Sequence, residues 1–295
     1  MSFTKFVETH HEDIVVSLQQ QVARASRKPY VEVLRHNSQK MPKSKERQIR
    51  DLYETLFQVW GPQHWWPANT RFEVIVGAYL TQNTAWTNVE RALLNLRLAG
   101  VLSLDGIRRT PIKQLEQLVR SAGYFRQKAQ RLKTFVAYLD LQYGGSLDRM
   151  FARPTQELRA ELLALNGVGP ETADSILLYG GGHPVFVVDT YTRRILQRHG
   201  ILPANAAYEE IRSLFERALG STFRHIPNPT PPVTTGGSQQ NPGAAHSPSR
   251  MSLAKRTEIA QRYNEMHGLI VGVGKSYCLK SKPRCEVCPL GKFLS

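Results

Sequence analysis

The sequence predicts an all-α protein, because apolar residues recur at the helical period and strand-like alternation with hairpin turns is missing. Leu52, Leu56 and Val59 follow this period after Ile49, and Gly61 with Pro62 ends the stretch. The same pattern recurs in later stretches, at 72–80, 89–98, 132–139 and 211–218. Apolar residues make up 41% of the chain, which is enough to fill a core.

Along the chain, residues 1–48 form a basic extension without a catalytic signature, and the helical pattern starts at Ile49. Residues 226–250 interrupt it, because they are rich in Pro, Gly, Ser and Thr, which is typical of a disordered insertion. Helical character returns at Leu253 and continues towards three cysteines. Because the pattern resumes there, we expect deletion of the insertion to leave the fold largely intact.

The charge balance points to a nucleic-acid partner. The chain has 39 Lys and Arg against 24 Asp and Glu, a net charge of +15, which favours a polyanion. No apolar run reaches the roughly 18 residues of a membrane span, so we expect no membrane partner. The N-terminus lacks a signal-peptide core and carries acids. We therefore expect an intracellular monomer, located in the cytoplasm or nucleoid, or in the nucleus of a eukaryote.

A glycine hairpin joins two short helical stretches between about residues 160 and 180. Gly167 and Gly169 make a turn that permits positive φ, and Pro170 suits the first turn of the following helix. Unpaired N–H groups at such a helix start can hold a phosphate oxygen. The pattern predicts a helix-hairpin-helix that contacts a nucleic-acid backbone through Gly167, Gly169 and Thr172. An ordinary Gly-x-Gly helix connection remains the alternative.

Asp189 lies directly before a helical stretch that ends at Gly200, which places it at or near an N-cap. Helix N–H groups stabilise the ionised carboxylate there, unless burial outweighs them. An ionised carboxylate in a cleft can stabilise an oxocarbenium-like sugar during N-glycosidic cleavage and can orient the attacking water. On the local sequence alone, a simple helix cap remains the alternative. Arg193, in the same helix, is a further candidate for DNA contact.

Residues 165–194 closely resemble the endonuclease III, or helix-hairpin-helix-GPD, superfamily of DNA glycosylases. The signature of that superfamily joins the hairpin to a Gly/Pro-rich loop, here Gly-Gly-Gly-His-Pro at 180–184, and to a catalytic aspartate. The resemblance implies an enzyme of base-excision repair that acts on damaged double-stranded DNA, with Asp189 as its catalytic carboxylate.

Glu171 indicates which reaction to expect. In bifunctional members of the superfamily a lysine stands at this position of the hairpin and forms a Schiff base with the sugar. A carboxylate cannot form a Schiff base, so we expect a monofunctional glycosylase that uses water as its nucleophile. Glu171 can also be simply a favourable acid in a first helical turn.

The segment before the second helical stretch indicates the base pocket. Trp65, Trp66 and Pro67 stand at a helix junction, where tryptophans taken alone are more often part of the core. A base extruded from the duplex needs flat surfaces on which to stack, and electron-deficient alkylated bases stack well on indoles. Together with Trp86, the segment is similar to the endonuclease III-like 3-methyladenine DNA glycosylases. This resemblance implies that these four residues line the base pocket.

Residues 81–84, Thr-Gln-Asn-Thr, follow a buried-looking helix. The resemblance implies that Gln82 fills the gap that the flipped base leaves, and that Gln82 and Asn83 contact DNA. Without the resemblance, Gln82 would be read as a polar helix end.

The three cysteines lie close to the C-terminus with the spacing Cys278-x6-Cys285-x2-Cys288. Clustered thiolates suit an iron–sulfur cluster, and this spacing matches the first three positions of the endonuclease III cluster loop. The fourth position is Leu294, which cannot ligate metal. We expect a 4Fe-4S cluster. A non-cysteine fourth ligand, a three-iron cluster, a zinc site with a distant histidine and a loop without metal all stay open.

The resemblance also implies two helical subdomains that flank a DNA-binding cleft. Residues 71–183 form a helical barrel that contains the helix-hairpin-helix at about 160–180. Residues 49–70 and 184–295 form the second subdomain, which carries the cysteine loop.

For function, the sequence favours hydrolytic removal of an alkylated purine such as 3-methyladenine. One alternative is a mismatch glycosylase that removes adenine or thymine. Another is an endonuclease III-type enzyme that keeps AP lyase activity, with a basic residue such as Lys128 in place of the missing lysine. The third alternative is not an enzyme: it is a DNA-binding protein that senses lesions.

Overall fold

The computed structural model describes residues 43–220 and 248–294, and all described helices lie in one compact unit, Lys45–Ser295. No β-strand occurs within these residues, and the predicted all-α fold is confirmed. Among the described helices, none is both long and apolar enough to cross a membrane. The α-helices are α1 (Lys45–Trp60), α2 (Arg71–Thr81), α3 (Trp86–Leu98), α4 (Leu104–Arg109), α5 (Ile112–Leu118), α6 (Phe125–Tyr143), α7 (Leu147–Phe151), α8 (Thr155–Ala164), α9 (Pro170–Ser175), α10 (Thr190–Arg198), α11 (Tyr208–Leu219) and α12 (Glu258–Ser276).

Helix α2 is the central helix, because it is buried all around its circumference. Every residue from Phe72 to Leu80 is buried, as expected for a helix without a polar face. Its start is fixed by Thr70, whose Oγ1 accepts a hydrogen bond from the Glu73 N–H at 3.1 Å. The helix packs against α3, α6 and a π-helical turn, Ile176–Gly181, that continues α9. Its C-terminal end therefore lies beside the glycine hairpin.

The first and last described helices pack together. Helix α1 contacts α11 and α12, and α12 also contacts α10. Arg262 of α12 donates two hydrogen bonds, both of 2.7 Å, to the carbonyl oxygens of Leu219 and Gly220. Leu219 and Gly220 are the last residues described before the gap at 221–247. The arrangement brings the C-terminal part of the sequence beside its N-terminal helix.

Ser249, which the sequence assigns to the end of the disordered insertion, contacts the tryptophan segment. Ser249 Oγ donates to the Trp66 carbonyl at 3.1 Å and accepts from the Ala68 N–H at 3.2 Å. The Met251 N–H then donates to the Ala68 carbonyl at 3.0 Å. Ser249 thus belongs to the folded part of the chain, and residues 226–247 of the predicted insertion lie outside the described residues.

Two helix starts differ from the predictions. Helix α1 begins at Lys45 rather than Ile49, whereas residues 1–42 of the predicted extension lie outside the described residues. Helix α12 begins at Glu258 rather than near Leu253, because Thr257 caps it by accepting the Ala260 N–H at 3.3 Å. The apolar periodicity thus starts inside α1, after its first residues, and starts before the first residue of α12.

Candidate active site

A cleft of about 1130 Å³ opens beside the end of α2, and residues from both halves of the sequence line it. Most of the predicted site residues line this cleft: Trp65, Trp66, Gln82, Asn83, Trp86, Gly167, Gly169, Thr172 and Asp189. Two others do not. Pro67 is half-buried outside the lining, and Arg193 turns its Nη1 to the Ala206 carbonyl at 2.7 Å.

The glycine hairpin has the conformation that its sequence indicates. Gly167 has a φ of +80°, and a Cβ there would lie 2.0 Å from Arg131 Nε. Gly169 is the N-cap of α9 and makes no side-chain cap, and a Cβ there would meet no described atom within 4 Å. The first N–H groups of α9 therefore lie at an open, uncapped helix start on the cleft.

Gln82 is held across the floor of the cleft by three hydrogen bonds. Its Nε2 donates to the Gly167 carbonyl and to Thr172 Oγ1, both at 2.9 Å. Its Oε1 accepts from Arg131 Nη1 at 2.5 Å. These bonds join the end of α2 to the hairpin and define the orientation of the Gln82 carboxamide.

Asp189 is the N-cap of α10 and forms a capping box with Thr192. Its Oδ1 accepts hydrogen bonds from the Thr192 N–H at 2.7 Å and the Thr192 hydroxyl at 2.9 Å. Burial raises the pKa of Asp189, but the nearby His267 and these two hydrogen bonds outweigh it. The pKa therefore lies below its ordinary value, and the carboxylate is ionised at neutral pH.

His267 of α12 lies behind Asp189, with its Nε2 at 3.6 Å from Asp189 Oδ2. Its Nδ1 lies 2.7 Å from the hydroxyl of buried Tyr179. Because an ionised carboxylate only accepts hydrogen bonds, the network assigns the proton to Nε2 and lets Tyr179 donate to Nδ1. His267 thus places an N–H beside the carboxylate.

Glu171, in the first turn of α9, is the second carboxylate of the cleft. Burial raises its pKa to about 7, and the negative charge of Asp189 acts in the same direction. His267 and Arg193 oppose this rise. Because the surface of Glu171 still opens onto the cleft, water limits the effect of burial until a ligand fills the space.

Aromatic side chains form one wall of the cleft. Trp66 stacks on Tyr179 with ring centroids 4.9 Å apart, and Trp86 meets it edge-on at 5.1 Å. Trp65 and Trp66 are only 6% and 5% exposed, so they also belong to the core, as tryptophans taken alone usually do. Trp86 is half-buried and offers more of its surface to the cleft.

Among the described lysines, Lys275 lines the cleft and Lys128 does not. Lys275 lies over the Trp65 ring, 5.9 Å from its centroid. Burial lowers the pKa of Lys275, whereas Glu90 and Asp189 raise it. Lys128 is 1% exposed and donates to the carbonyls of Leu80 and Ala122 at 2.9 and 2.7 Å. The suggestion that Lys128 replaces a lyase lysine is therefore wrong, because its amine serves the core.

The three cysteines line one small, separate cavity together with Arg198, His199 and Leu294. Arg198 Nη1 donates to Cys278 Sγ at 3.2 Å. Burial raises the pKa of the Cys288 thiol, and the nearby Cys278 and Cys285 raise it further. The three cysteines thus share the lining of one cavity, and one of their sulfurs accepts an N–H donor. Within the described residues, no three His, Cys, Asp or Glu side chains are grouped around a single metal ion.

His267, Tyr179 and Lys275 are site residues that the sequence reasoning missed. The first and third lie on α12, beyond the insertion, and Tyr179 reads as part of an apolar run. The only local signal was that His267 and Lys275 stand at the two ends of a glycine-rich stretch. Their distance in sequence from Asp189 does not indicate that they lie near it.

Comparisons with known proteins agree with this geometry. Residues 76–220 match the HhH-GPD superfamily, described as base excision DNA repair proteins. The chain is 39% identical over 254 residues to "Putative DNA repair glycosylase MJ1434" of Methanocaldococcus jannaschii, covering 86% of this chain and 98% of the relative.

Two solved structures share the fold. One is the H. pylori 3-methyladenine DNA glycosylase MagIII bound to 1,N6-ethenoadenine, with a TM-score of 0.59, 28% identity, and coverage of 79% of this chain and 98% of that chain. The other is a trapped covalent intermediate of endonuclease III with DNA, with a TM-score of 0.62, 20% identity, and coverage of 84% and 95%.

Proposed function

The chain belongs to the HhH-GPD superfamily and is a DNA repair glycosylase, and we propose that it is a monofunctional enzyme that removes an alkylated purine such as 3-methyladenine from double-stranded DNA. The observation that carries the proposal is the aromatic-walled cleft that contains two carboxylates, Asp189 and Glu171, and has no lysine at the hairpin position of Glu171. The similarity to MagIII, a 3-methyladenine DNA glycosylase, supports the choice of base.

In this proposal the DNA backbone binds at the open start of α9, where uncapped N–H groups can contact a phosphate. The damaged nucleotide leaves the duplex, and its base stacks against Trp86 and the edge of the tryptophan pair. Gln82 and Asn83 lie at the end of α2, beside the hairpin, where a side chain can enter the gap in the duplex. The charge of +15 favours the association.

The two carboxylates divide the chemical work. Asp189 is ionised and stabilises the positive charge on the sugar as the bond between C1′ and the base nitrogen breaks. An alkylated purine such as 3-methyladenine is already cationic and leaves readily, so little acid catalysis is needed. Glu171, with a pKa near 7, accepts a proton from the water that adds to C1′. The products are the free base and an abasic site.

Lys275 is the reason to test lyase activity directly, because its amine lines the same cleft. A Schiff base needs a deprotonated amine aimed at C1′. Burial lowers the pKa of Lys275, although Glu90 and Asp189 oppose it, so its amine loses a proton more readily than that of an exposed lysine. The monofunctional assignment therefore depends on Glu171 at the hairpin position and needs a direct test for a Schiff base.

We further propose that Cys278, Cys285 and Cys288 hold an iron–sulfur cluster, since they line one cavity and Arg198 donates to a sulfur. When bound, the cluster would cross-link the loop that follows α12. Cys278 and Arg194 then connect this loop to α10, because Arg194 Nε donates to the Cys278 carbonyl at 2.6 Å. Asp189 caps the same helix.

Single-turnover release of free base tests the proposal. Duplexes that carry 3-methyladenine, an A·G mismatch or a T·G mismatch are incubated with the full chain, and the products are resolved with and without alkaline cleavage. We expect release from the alkylated duplex, with strand breaks only after alkali. Release only from a mismatch would favour a mismatch glycosylase, and binding without release would favour a lesion-sensing protein.

Borohydride trapping on abasic DNA tests the monofunctional assignment. We expect no trapped complex with the wild-type chain and a trapped complex with Glu171→Lys, which serves as the positive control. A wild-type complex that Lys275→Ala abolishes would instead show lyase activity through Lys275.

A further inference from the structure

We propose that His199 supplies, through its Nδ1, the fourth ligand of the iron–sulfur cluster at Cys278, Cys285 and Cys288. The inference rests on the cluster part of the proposed function and names the ligand that the cysteine spacing leaves open. The fourth position of that spacing falls on Leu294, whose side chain has no donor atom.

The position of His199 connects the cleft helix to the cysteine loop. His199 is the C-cap of α10, and its ring lines the same cavity as the three cysteines. Arg198, the preceding residue, already contacts this loop, because its Nη2 donates to the Lys280 carbonyl at 3.2 Å in addition to the contact with Cys278. The histidine thus comes from the end of α10, whereas the cysteines come from the loop after α12.

The Nδ1 atom of His199 is buried and has no hydrogen-bond partner within the residues that the structure describes. The ring also lies close to the backbone of Phe293. A buried polar nitrogen without a partner is costly. An imidazole whose second nitrogen is held by the backbone is a common arrangement for a metal ligand, because that bond fixes the tautomer and the ring orientation.

The chemistry of the cluster accepts this ligand. Histidine replaces cysteine as a ligand to iron in some iron–sulfur proteins. Each iron of a four-iron cluster takes one protein ligand, so the ligands surround the cluster rather than one point. This is compatible with the finding that, within the described residues, no three His, Cys, Asp or Glu side chains are grouped around a single metal ion.

The test uses the full chain, reconstituted anaerobically with iron and sulfide. The content of both elements is measured per chain, and pulsed EPR is recorded on a paramagnetic state of the cluster in protein labelled with ¹⁵N-histidine. We expect a histidine nitrogen coupling in the wild-type protein. In His199→Ala we expect loss of this coupling and a fall from about four to about three iron atoms per chain.

Two further variants sharpen the test. His183→Ala is the matched control, because His183 is also buried with an unpartnered ring nitrogen, Nε2, among the described residues, but its Nδ1 bonds to Thr155 Oγ1 and it does not line the cysteine cavity. It should keep its iron. Leu294→Cys added to His199→Ala should restore about four iron atoms, because Leu294 lines the cavity at the fourth position of the spacing.

The outcomes separate the two proposals. A wild-type cluster without nitrogen coupling, together with unchanged iron in His199→Ala, would overturn the role of His199 and leave the cluster in place. A wild-type chain that takes up no iron and sulfide, or that binds only zinc, would overturn the cluster and the role of His199 together. The wild-type EPR measurement decides even if a variant fails to fold.

Discussion

Two helix starts face the cleft, and they are built in opposite ways. The start of α10 is closed, because Asp189 caps it and Thr192 completes the capping box. The start of α9 is open, because its N-cap is Gly169, which has no side chain to satisfy the first N–H groups. Each start also carries an acid, Asp189 at the cap of α10 and Glu171 in the first turn of α9.

The difference affects the two carboxylates more than the two helices. Capping and His267 hold the pKa of Asp189 below its ordinary value, whereas burial and the charge of Asp189 raise the pKa of Glu171 to about 7. A helix start that is satisfied by its own acid keeps that acid ionised and fixed in place. A start left open keeps its N–H groups for a ligand and leaves its acid free to titrate.

The largest expected effect is that of Asp189→Asn. Asparagine caps a helix about as well as aspartate, so the fold should be kept while the negative charge is lost. We expect excision to fall by roughly 10²–10⁴-fold, with DNA binding unchanged. Single-turnover base release and fluorescence anisotropy measure the two quantities. Asp148→Asn, at a side chain that is 90% exposed, is the control. Equal loss of binding and excision would mean that Asp189 is chiefly structural.

Glu171→Gln tests the titrating acid. Because the ionised form of Glu171 accepts the proton of water in our proposal, wild-type excision should rise as the pH increases through about 7. The glutamine variant should lack this rise and be slower by roughly 10²-fold above it. The measurement is a single-turnover pH profile on the alkylated duplex. A variant that keeps the wild-type profile would remove Glu171 from the reaction.

Gly169→Ala tests the open start of α9. A Cβ there meets no described atom within 4 Å, and the φ of −92° suits alanine, so stability should hold. The methyl group would stand where a phosphate approaches, and we expect DNA affinity to fall roughly 10-fold, the effect of about one charge-assisted hydrogen bond. Gly167→Ala is the contrast, because its φ of +80° and Arg131 make it destabilising. Unchanged affinity in Gly169→Ala would place the backbone contact elsewhere.

His267→Ala should have the smallest effect at neutral pH. The histidine lowers the pKa of Asp189, so its removal should let that pKa rise. Because His267 also lowers the pKa of Glu171, the rise of excision near pH 7, which Glu171 sets in our proposal, should move to higher pH. The pH profile checks this, with thermal unfolding as the control for the loss of a buried side chain. An unmoved pH profile would show that His267 does not influence the titration of Glu171.

The features that could be predicted from the sequence are those set by short-range geometry. The cap at Asp189 depends on Thr192, three residues later, and the hairpin conformation depends on Gly167 itself. The helices of the fold follow from apolar periodicity, although α12 begins at its Thr257 cap rather than where the apolar pattern returns. Helix bounds depend on the capping side chain, which periodicity does not detect.

The remainder depends on packing between distant segments. His267 reaches Asp189 only because α10 and α12 pack together, and nothing in the spacing of the two residues indicates this. The same packing separates neighbours in sequence: Trp66 lines the cleft and Pro67 does not. Lys128 has the residue type of a lyase nucleophile, but its place on α6 directs the amine to two core carbonyls.

Because our proposal places Gln82 at the gap in the duplex, its hydrogen bonds have a consequence for how the protein would search DNA. Its carboxamide is held by hydrogen bonds with Gly167, Thr172 and Arg131 within the protein itself. A probe that is ordered in advance loses little conformational entropy when it tests a base pair, so each test can be brief. The Gln82 side chain also resists displacement by a base pair, because moving it would break three hydrogen bonds at once. Sound base pairs should therefore be released quickly, and only a weakened pair should give way to it.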